Sequence, residues 1–277
     1  MNTPRPLHVV STWKRLAGLS AAVLLAHTAT AATLTFNTNA DYDNNFYEVA
    51  GANGGDLGTN ASGYLNKING TATSAVYNTH ATGGVGGAGG TAGGTPLDTF
   101  GDFTIQATFR VSTLEAAGTS IGFFTKINDT ATSGYAALFR LTSTSQADFR
   151  LFDTAALSTV GTPIDPLPAQ TIAGAFAVNT YYIAKLTVTD VGANVRFDAS
   201  LWTAGGSQIG STVTLTDTSS AVAGLGQVGL RVGSGQFTTV QIDNFSVNAI
   251  PEPNTFALFA SGGALCVALL RRKRTQR

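Results

Sequence analysis

Between Thr33 and Val247 apolar residues return at every second position in short runs, and no stretch sustains helical spacing. The clearest run is Asp102–Val111 (DFTIQATFRV). Phe103, Ile105, Ala107, Phe109 and Val111 fall on one face, and Thr104, Gln106, Thr108 and Arg110 on the other. The same alternation, bounded by turn-forming residues, predicts strands at Thr33–Asn37, Gly63–Ile68, Ser120–Ile127, Tyr135–Thr142 and Ala147–Phe152. Further strands are predicted at Tyr181–Thr189, Asn194–Thr203, Gln208–Thr216, Gln227–Val232 and Phe237–Val247. The last run changes phase between Ile242 and Phe245, which predicts a β-bulge or burial on both faces. So many short strands in one segment predict an all-β, antiparallel two-sheet sandwich spanning residues 32–250.

One hairpin can be laid out in detail. Asp190-Val191-Gly192-Ala193 has the composition of a four-residue turn between two predicted strands. Setting Thr189 opposite Asn194 pairs Tyr182 with Leu201, Ala184 with Ala199, Leu186 with Phe197 and Val188 with Val195. The other face then pairs Tyr181 with Trp202, Ile183 with Ser200, Lys185 with Asp198 and Thr187 with Arg196. A one-residue slip would break both sets. Tyr181 and Trp202 would form an aromatic pair beside polar groups, the composition a sugar-binding surface requires, and they are the candidate glycan-binding residues.

Charge distribution narrows the function classes. The 277-residue chain is formally neutral, but eight of its 16 basic residues lie near the two ends. Residues 32–250 keep eight Lys/Arg against fifteen Asp/Glu, a net charge of −7. An acidic segment without a basic cluster argues against nucleic acid as a partner, because that affinity rests on neutralising phosphates. The single Cys, Cys266, lies near the C-terminus, so residues 32–250 have no disulfide, thiolate metal site or cysteine nucleophile. His8 and His27 precede the strands, leaving His80 alone beside a glycine-rich run, where a solvated loop histidine is expected.

The ends read as addresses. Arg5, Lys14 and Arg15 precede the apolar run Leu16–Ala26, and Ala29-Thr30-Ala31 offers small residues for cleavage. Residues 1–31 are therefore expected to be a helical secretory signal. At the other end come Pro251, Glu252 and Pro253, then the uncharged run Phe256–Leu270, then Arg271, Arg272, Lys273 and Arg274. A helix over 256–270 would be about 22 Å long, short for a bilayer core but workable with snorkelling flanks, and its basic end would stay cytoplasmic. The combination over residues 251–277 resembles the PEP-CTERM sorting signal of Gram-negative bacteria, and no LPxTG signal is present. That resemblance implies an exosortase-type processing enzyme as partner, an inner-membrane-anchored precursor, and final placement at the cell surface or in an exopolysaccharide matrix.

A second resemblance covers residues 32–250. The runs DFTIQATFRVST, IGFFTKIND, GYAALFRLTS, ADFRLFD, NTYYIAKLTVT, ANVRFDASLWT and VQIDNFSV look like a laminin G-like or concanavalin A-like jelly roll. That family implies two facing antiparallel sheets, with the first strand pairing near the last to close the domain.

Candidate chemistry is sparse. Jelly-roll glucanases similar to this fold carry E-x-D-x-x-E or E-x-D-x-E, since retaining hydrolysis needs two carboxyls about 5 Å apart. Residues 32–250 hold only Glu48 and Glu115, and neither sits in such a pattern. Gly83–Gly94 (GGVGGAGGTAGG) contains G-x-G-x-x-G by composition alone, with no following helix or Walker lysine, and reads as a surface loop. Asp41, Asp43 and Asn45 begin like a calcium loop, but Phe46 replaces the turn glycine. They stand as weak calcium candidates, with ordinary turn formation as the plainer role, and no cofactor is expected. Thr212–Thr216 is similar to the threonine rows of ice-binding surfaces, but one strand makes no array. The N-x-[ST] triplets at Asn60, Asn69, Asn128 and Asn244 are expected from a Thr/Asn-rich composition.

The expectation is an exported, non-catalytic surface or matrix protein with one lectin-like sandwich, binding extracellular polysaccharide. A jelly-roll hydrolase using Asp residues, or a purely structural biofilm matrix protein, are the alternatives.

Overall fold

The computed structural model describes residues 32–38, 41–42, 45–48, 57–59, 63–67, 73–77, 100–112, 114, 121–127, 133–154, 164, 170–218, 222–233 and 240–250. The expected signal (1–31) and the sorting segment with its membrane helix (251–277) lie outside the described residues. So do His80, Gly83–Gly94, Asp43 and Glu115.

Among the described residues the chain forms fifteen strands. The first five are β1 (Ala32–Leu34), β2 (Phe46–Glu48), β3 (Leu57–Thr59), β4 (Leu65–Lys67) and β5 (Thr73–Tyr77). Then come β6 (Phe103–Val111), β7 (Ile121–Ile127), β8 (Gly134–Ser143), β9 (Gln146–Thr154) and β10 (Gln170–Ala173). The last are β11 (Tyr182–Val191), β12 (Asn194–Thr203), β13 (Gln208–Asp217), β14 (Gln227–Val232) and β15 (Val240–Ala249). Alternation is clearest in β6, which buries every second residue over its whole length, as its pattern predicts.

The strands make two antiparallel sheets. Sheet A has the order β13-β12-β11-β6-β15-β4-β3, with β1 added beside β15; sheet B has the order β10-β9-β8-β7-β14-β5-β2. The chain crosses between the sheets after β1, β2, β4, β5, β6, β10, β13 and β14, which is the winding of a jelly-roll sandwich. The first strand pairs with the last, Ala32 opposite Val247, so the termini of the sandwich meet. In β15 the register against β6 shifts between Ile242 and Asn244, the bulge that the phase change predicts.

The core lies between the sheets. Sheet A contributes Phe103, Ile105, Phe109, Leu186, Phe197 and Phe245, and sheet B contributes Phe123, Tyr135, Phe139, Phe149 and Leu230. Tyr135 and Phe197 meet edge-on across the interface, with ring centroids 4.8 Å apart. Near the N-terminus Phe36, at φ 46°, is fully buried against Tyr42 and Phe46. Phe46 in turn packs on Phe245, at 5.3 Å, tying this segment to β15.

The β11–β12 hairpin corrects the expected register. The turn is two residues, Gly192-Ala193, and Val191 pairs with Asn194. The strands are therefore slid by two positions: Ala184 faces Leu201, Leu186 faces Ala199, and Val188 faces Phe197. Lys185 lies opposite Ser200 rather than Asp198, and Trp202 lies opposite Ile183 rather than Tyr181. A period-two pattern forbids a slip of one residue but is indifferent to a slip of two, so turn geometry chose the register. Gly192 makes the tighter turn possible at φ 66°. Short β2, β3, β5 and β10 carry too little alternation to stand out in the sequence.

Candidate functional site

The outer face of sheet A is built by the residues that alternate with the core. On β6 these are Thr104, Gln106, Thr108 and Arg110; β11 contributes Ile183, Lys185 and Thr187, with Tyr181 just before it. β12 contributes Asp198, Ser200 and Trp202, and β15 contributes Gln241, Asp243 and Asn244. Strand registers align them into rows. One row runs Gln208, Trp202, Ile183, Thr108, Asn244 across five strands. At about 4.8 Å between strands it spans roughly 19 Å.

At one end of this face Tyr181 is surrounded. Its ring lies 5.8 Å from that of Tyr64, at a tilt of 33°. The Arg110 guanidinium sits 5.2 Å from the Tyr181 ring centre, a cation–π contact. Arg110 Nε and the Tyr181 hydroxyl both donate to Oε1 of Gln241, the latter at 3.3 Å. Burial pushes the Tyr181 hydroxyl up to about 12, helped by a hydrogen bond with Tyr64 and the nearby Asp243 charge and opposed by Arg110. Thr108 closes the row by donating to Asn244 Oδ1 at 3.0 Å.

Trp202 forms the second centre. Its indole Nε1 donates to Ser200 Oγ at 2.9 Å, and Lys185 Nζ lies 5.9 Å from its ring centre. Tyr181 and Trp202 therefore share a face, but not as a facing pair: Ile183 stands opposite Trp202 and next in line to Tyr181. Tyr64, Arg110, Tyr181, Lys185, Trp202 and Gln241 are each half-buried, whereas Ser200 is buried. Flat aromatic surface flanked by guanidinium, ammonium, amide and hydroxyl groups suits a ligand with apolar C–H faces and many hydroxyls. Of the residues gathered here, sequence reasoning named Tyr181 and Trp202 as candidates and did not name Tyr64, Arg110 or Gln241. Arg110 was legible as a polar-face residue of β6; Tyr64 and Gln241 reach the site only through the pairing of β4 and β6 with β15.

The outer face of sheet B is of a different kind. Phe124, Ile127, Ala136 and Leu138 on that face are buried, and so are Gln227 and Arg231. The Arg231 guanidinium lies 5.8 Å from the Phe124 ring centre, and burial lowers its pKa to about 10. Arg140 pairs with Asp148, which also accepts from Gln146 at 3.1 Å. Gln227 is fully buried with neither side-chain amide atom hydrogen-bonded. Phe123-Phe124, two large apolar residues in succession, is a sequence signal consistent with burial on both sides of β7 that alternation alone does not read.

The weak calcium candidates are used locally where they are described. Asp41 accepts from the Thr38 backbone N–H at 2.9 Å, and Asn45 Nδ2 donates to the Asp41 carbonyl at 2.9 Å, a turn held by its own side chains. Among the described residues no three His, Cys, Asp or Glu side chains converge. Glu48 lies in the short β2.

No family model matches the chain, and no curated protein matches it. Solved structures similar to it include the carbohydrate binding module CBM66 from Bacillus subtilis, 15% identical, covering 75% of this chain and 97% of that one, with a TM-score of 0.46. A legume lectin-like domain from Entamoeba histolytica is 9% identical, covers 79% of this chain and 97% of its own, and has a TM-score of 0.47. A β-glucanase from Bacillus licheniformis is 10% identical, with coverage of 79% and 98% and a TM-score of 0.47. Likenesses of this size assign no ligand, and lectin, binding module and enzyme stand side by side among them.

Proposed function

We propose that this chain is an exported, non-catalytic glycan-binding protein of the cell surface or extracellular matrix, and that the outer face of sheet A is where it meets polysaccharide. The observation that supports this reading is the half-buried cluster of Tyr64, Tyr181 and Trp202 with Arg110, Lys185 and Gln241 beside them. Ring faces supply stacking area, and the polar groups supply hydrogen bonds to sugar hydroxyls. Among the described residues, the largely buried outer face of sheet B offers no comparable reachable surface. On this reading the leader directs export, and an exosortase-type enzyme acts near Pro251-Glu252-Pro253 while the apolar run and Arg271–Arg274 hold the precursor in the inner membrane of a Gram-negative cell.

The test is binding of a purified extracellular polysaccharide, measured by affinity electrophoresis. Trp202→Ala should abolish retardation while shifting the melting temperature little, because the ring makes one hydrogen bond to the sheet and stands outside the core. Retained binding by Trp202→Ala, or unfolding of the variant, would show the ring to be structural. The sorting half is read separately: mass spectrometry of surface material should find chains beginning near Ala32 and ending near Pro251–Pro253. Peptides containing Arg277 as the main surface form would refute it.

A further inference from the structure

Beyond glycan binding, we propose that β13 is a self-docking edge, through which two copies of this chain join sheet A to sheet A in antiparallel register about a two-fold axis at Thr214.

β13 ends sheet A: one side pairs with β12, and the other is hydrogen-bonded to no strand among the described residues, although β10 lies against its Ile209–Gly210 end. The strand is ten residues long, whereas β2 and β3 are three residues each and β10 is four. Short edges are self-limiting; long ones template further pairing unless something blocks them. At Gly210 a blocker is present, since a Cβ there would stand 2.5 Å from the Ala173 carbonyl oxygen of β10. From Ser211 to Thr216 none is, among the described residues. Ser211, Thr212, Thr214 and Thr216 are exposed, and the segment carries no Pro, Lys, Arg or Glu. Asp217, the residue that follows, is turned inward and accepts from the buried Tyr135 hydroxyl at 2.8 Å.

The occupant follows from the pattern of the strand itself. Thr212-Val213-Thr214-Leu215-Thr216 is palindromic in character. A two-fold axis at Thr214 sets Thr212 against Thr216 and Val213 against Leu215. Leu215 is buried and Val213 packs on the core, so in the pair the apolar side chains of one copy continue the inner layer of the other. The threonines continue the outer face, so both faces match in a single register. Charge does not oppose this. Arg196 and Asp198 on the adjoining strand bind each other at 3.0 Å, and Thr214 Oγ1 donates to Asp198. The contact is isologous and therefore closes as a dimer instead of growing into a fibre. Five paired residues make a seam of about 17 Å, short enough that the dimer is reversible. Two glycan faces would then lie on one continuous sheet surface, which favours bivalent attachment to a polymer.

Site-specific disulfide trapping tests the register on the full chain in mild detergent, with Cys266→Ser removing the native thiol. Directly opposed residues in an antiparallel pair have Cα atoms about 4.5–5.5 Å apart, within disulfide reach. Thr214→Cys alone should run at twice the monomer mass on a non-reducing gel after mild oxidation. Thr212→Cys and Thr216→Cys should each stay monomeric alone, yet cross-link when mixed. The mixed pair reports the register even if Thr214→Cys misfolds. A monomeric Thr214→Cys that folds, or cross-linking of Thr212→Cys alone as strong as that of the mixture, overturns the proposal.

Discussion

Replacing Lys126 with Met should be among the most damaging single changes in the sandwich outside the apolar core. Lys126 is a charged residue near the end of β7, yet its side chain is fully buried. Its φ of 55° falls where the β7–β14 register shifts, between the Gln227–Ile127 and Gly229–Phe124 pairs. From there Nζ donates to the Gly101 carbonyl at 2.8 Å and the Gly224 carbonyl at 2.6 Å, and makes an ion contact of 3.0 Å with Asp190 Oδ1. Asp190 also accepts from the Gly224 N–H through Oδ2 at 2.8 Å. The ammonium thus ties β7 of sheet B to the loop before β14 and to the end of β11 in sheet A. Methionine keeps the length and the backbone cost of a positive φ but leaves two carbonyls without their donor, at about 1–3 kcal/mol each. Asp190 loses its partner too: its side chain is 26% exposed as a whole, but Oδ1, the oxygen that faces Nζ, is buried, so water does not replace the contact. The expected loss is roughly 3–5 kcal/mol, in line with breaking a buried pair, against a total stability of about 5–15 kcal/mol. Urea unfolding followed by Trp202 fluorescence measures it. In a double-mutant cycle, Lys126→Met with Asp190→Asn should cost clearly less than the two single changes added together. A loss below about 1 kcal/mol for Lys126→Met, or strict additivity in the cycle, refutes the argument.

Two further outcomes follow from the same contacts. Because the folded state holds the Tyr181 hydroxyl up to about 12, against 10.0 for a free tyrosine, that contribution to stability is complete below pH 10 and is lost as pH rises toward 12. Tyr181→Phe should therefore show a shallower alkaline fall in melting temperature than the wild type, and an equal fall would assign the loss to other groups. Gly192→Ala and Gly210→Ala both place a side chain at positive φ, costing about 1 kcal/mol. Only at Gly210 does the new Cβ also meet backbone, 2.5 Å from the Ala173 oxygen, whereas around Gly192 there is open space. Thermal melts should rank Gly210→Ala as clearly the worse.

Much of this architecture was legible in the chain because an alternating pattern is a local property. The faces of β6 and β11 and the bulge in β15 each follow from which neighbours in sequence are apolar. The composition alone removed cysteine chemistry and multi-histidine sites from residues 32–250. Register was another matter. The β11–β12 pattern is satisfied equally by pairings two residues apart, and a turn of two residues rather than four selected between them. That choice moved Trp202 from Tyr181 to Ile183 and left Tyr181 to stack on Tyr64, which is more than a hundred positions away along the chain. Arg110 and Gln241 became neighbours of Tyr181 because β6 lies between β11 and β15, a placement no short pattern encodes. Lys126 shows the same division. Its sequence neighbourhood reads as an ordinary strand end, and only the meeting of two sheets supplies the two carbonyls and the carboxylate that let a charge sit buried. Local periodicity decides which side of a strand is wet; long-range pairing decides which side chains touch, because the latter depends on contacts whose loop-closure cost is recovered only when the whole sandwich forms.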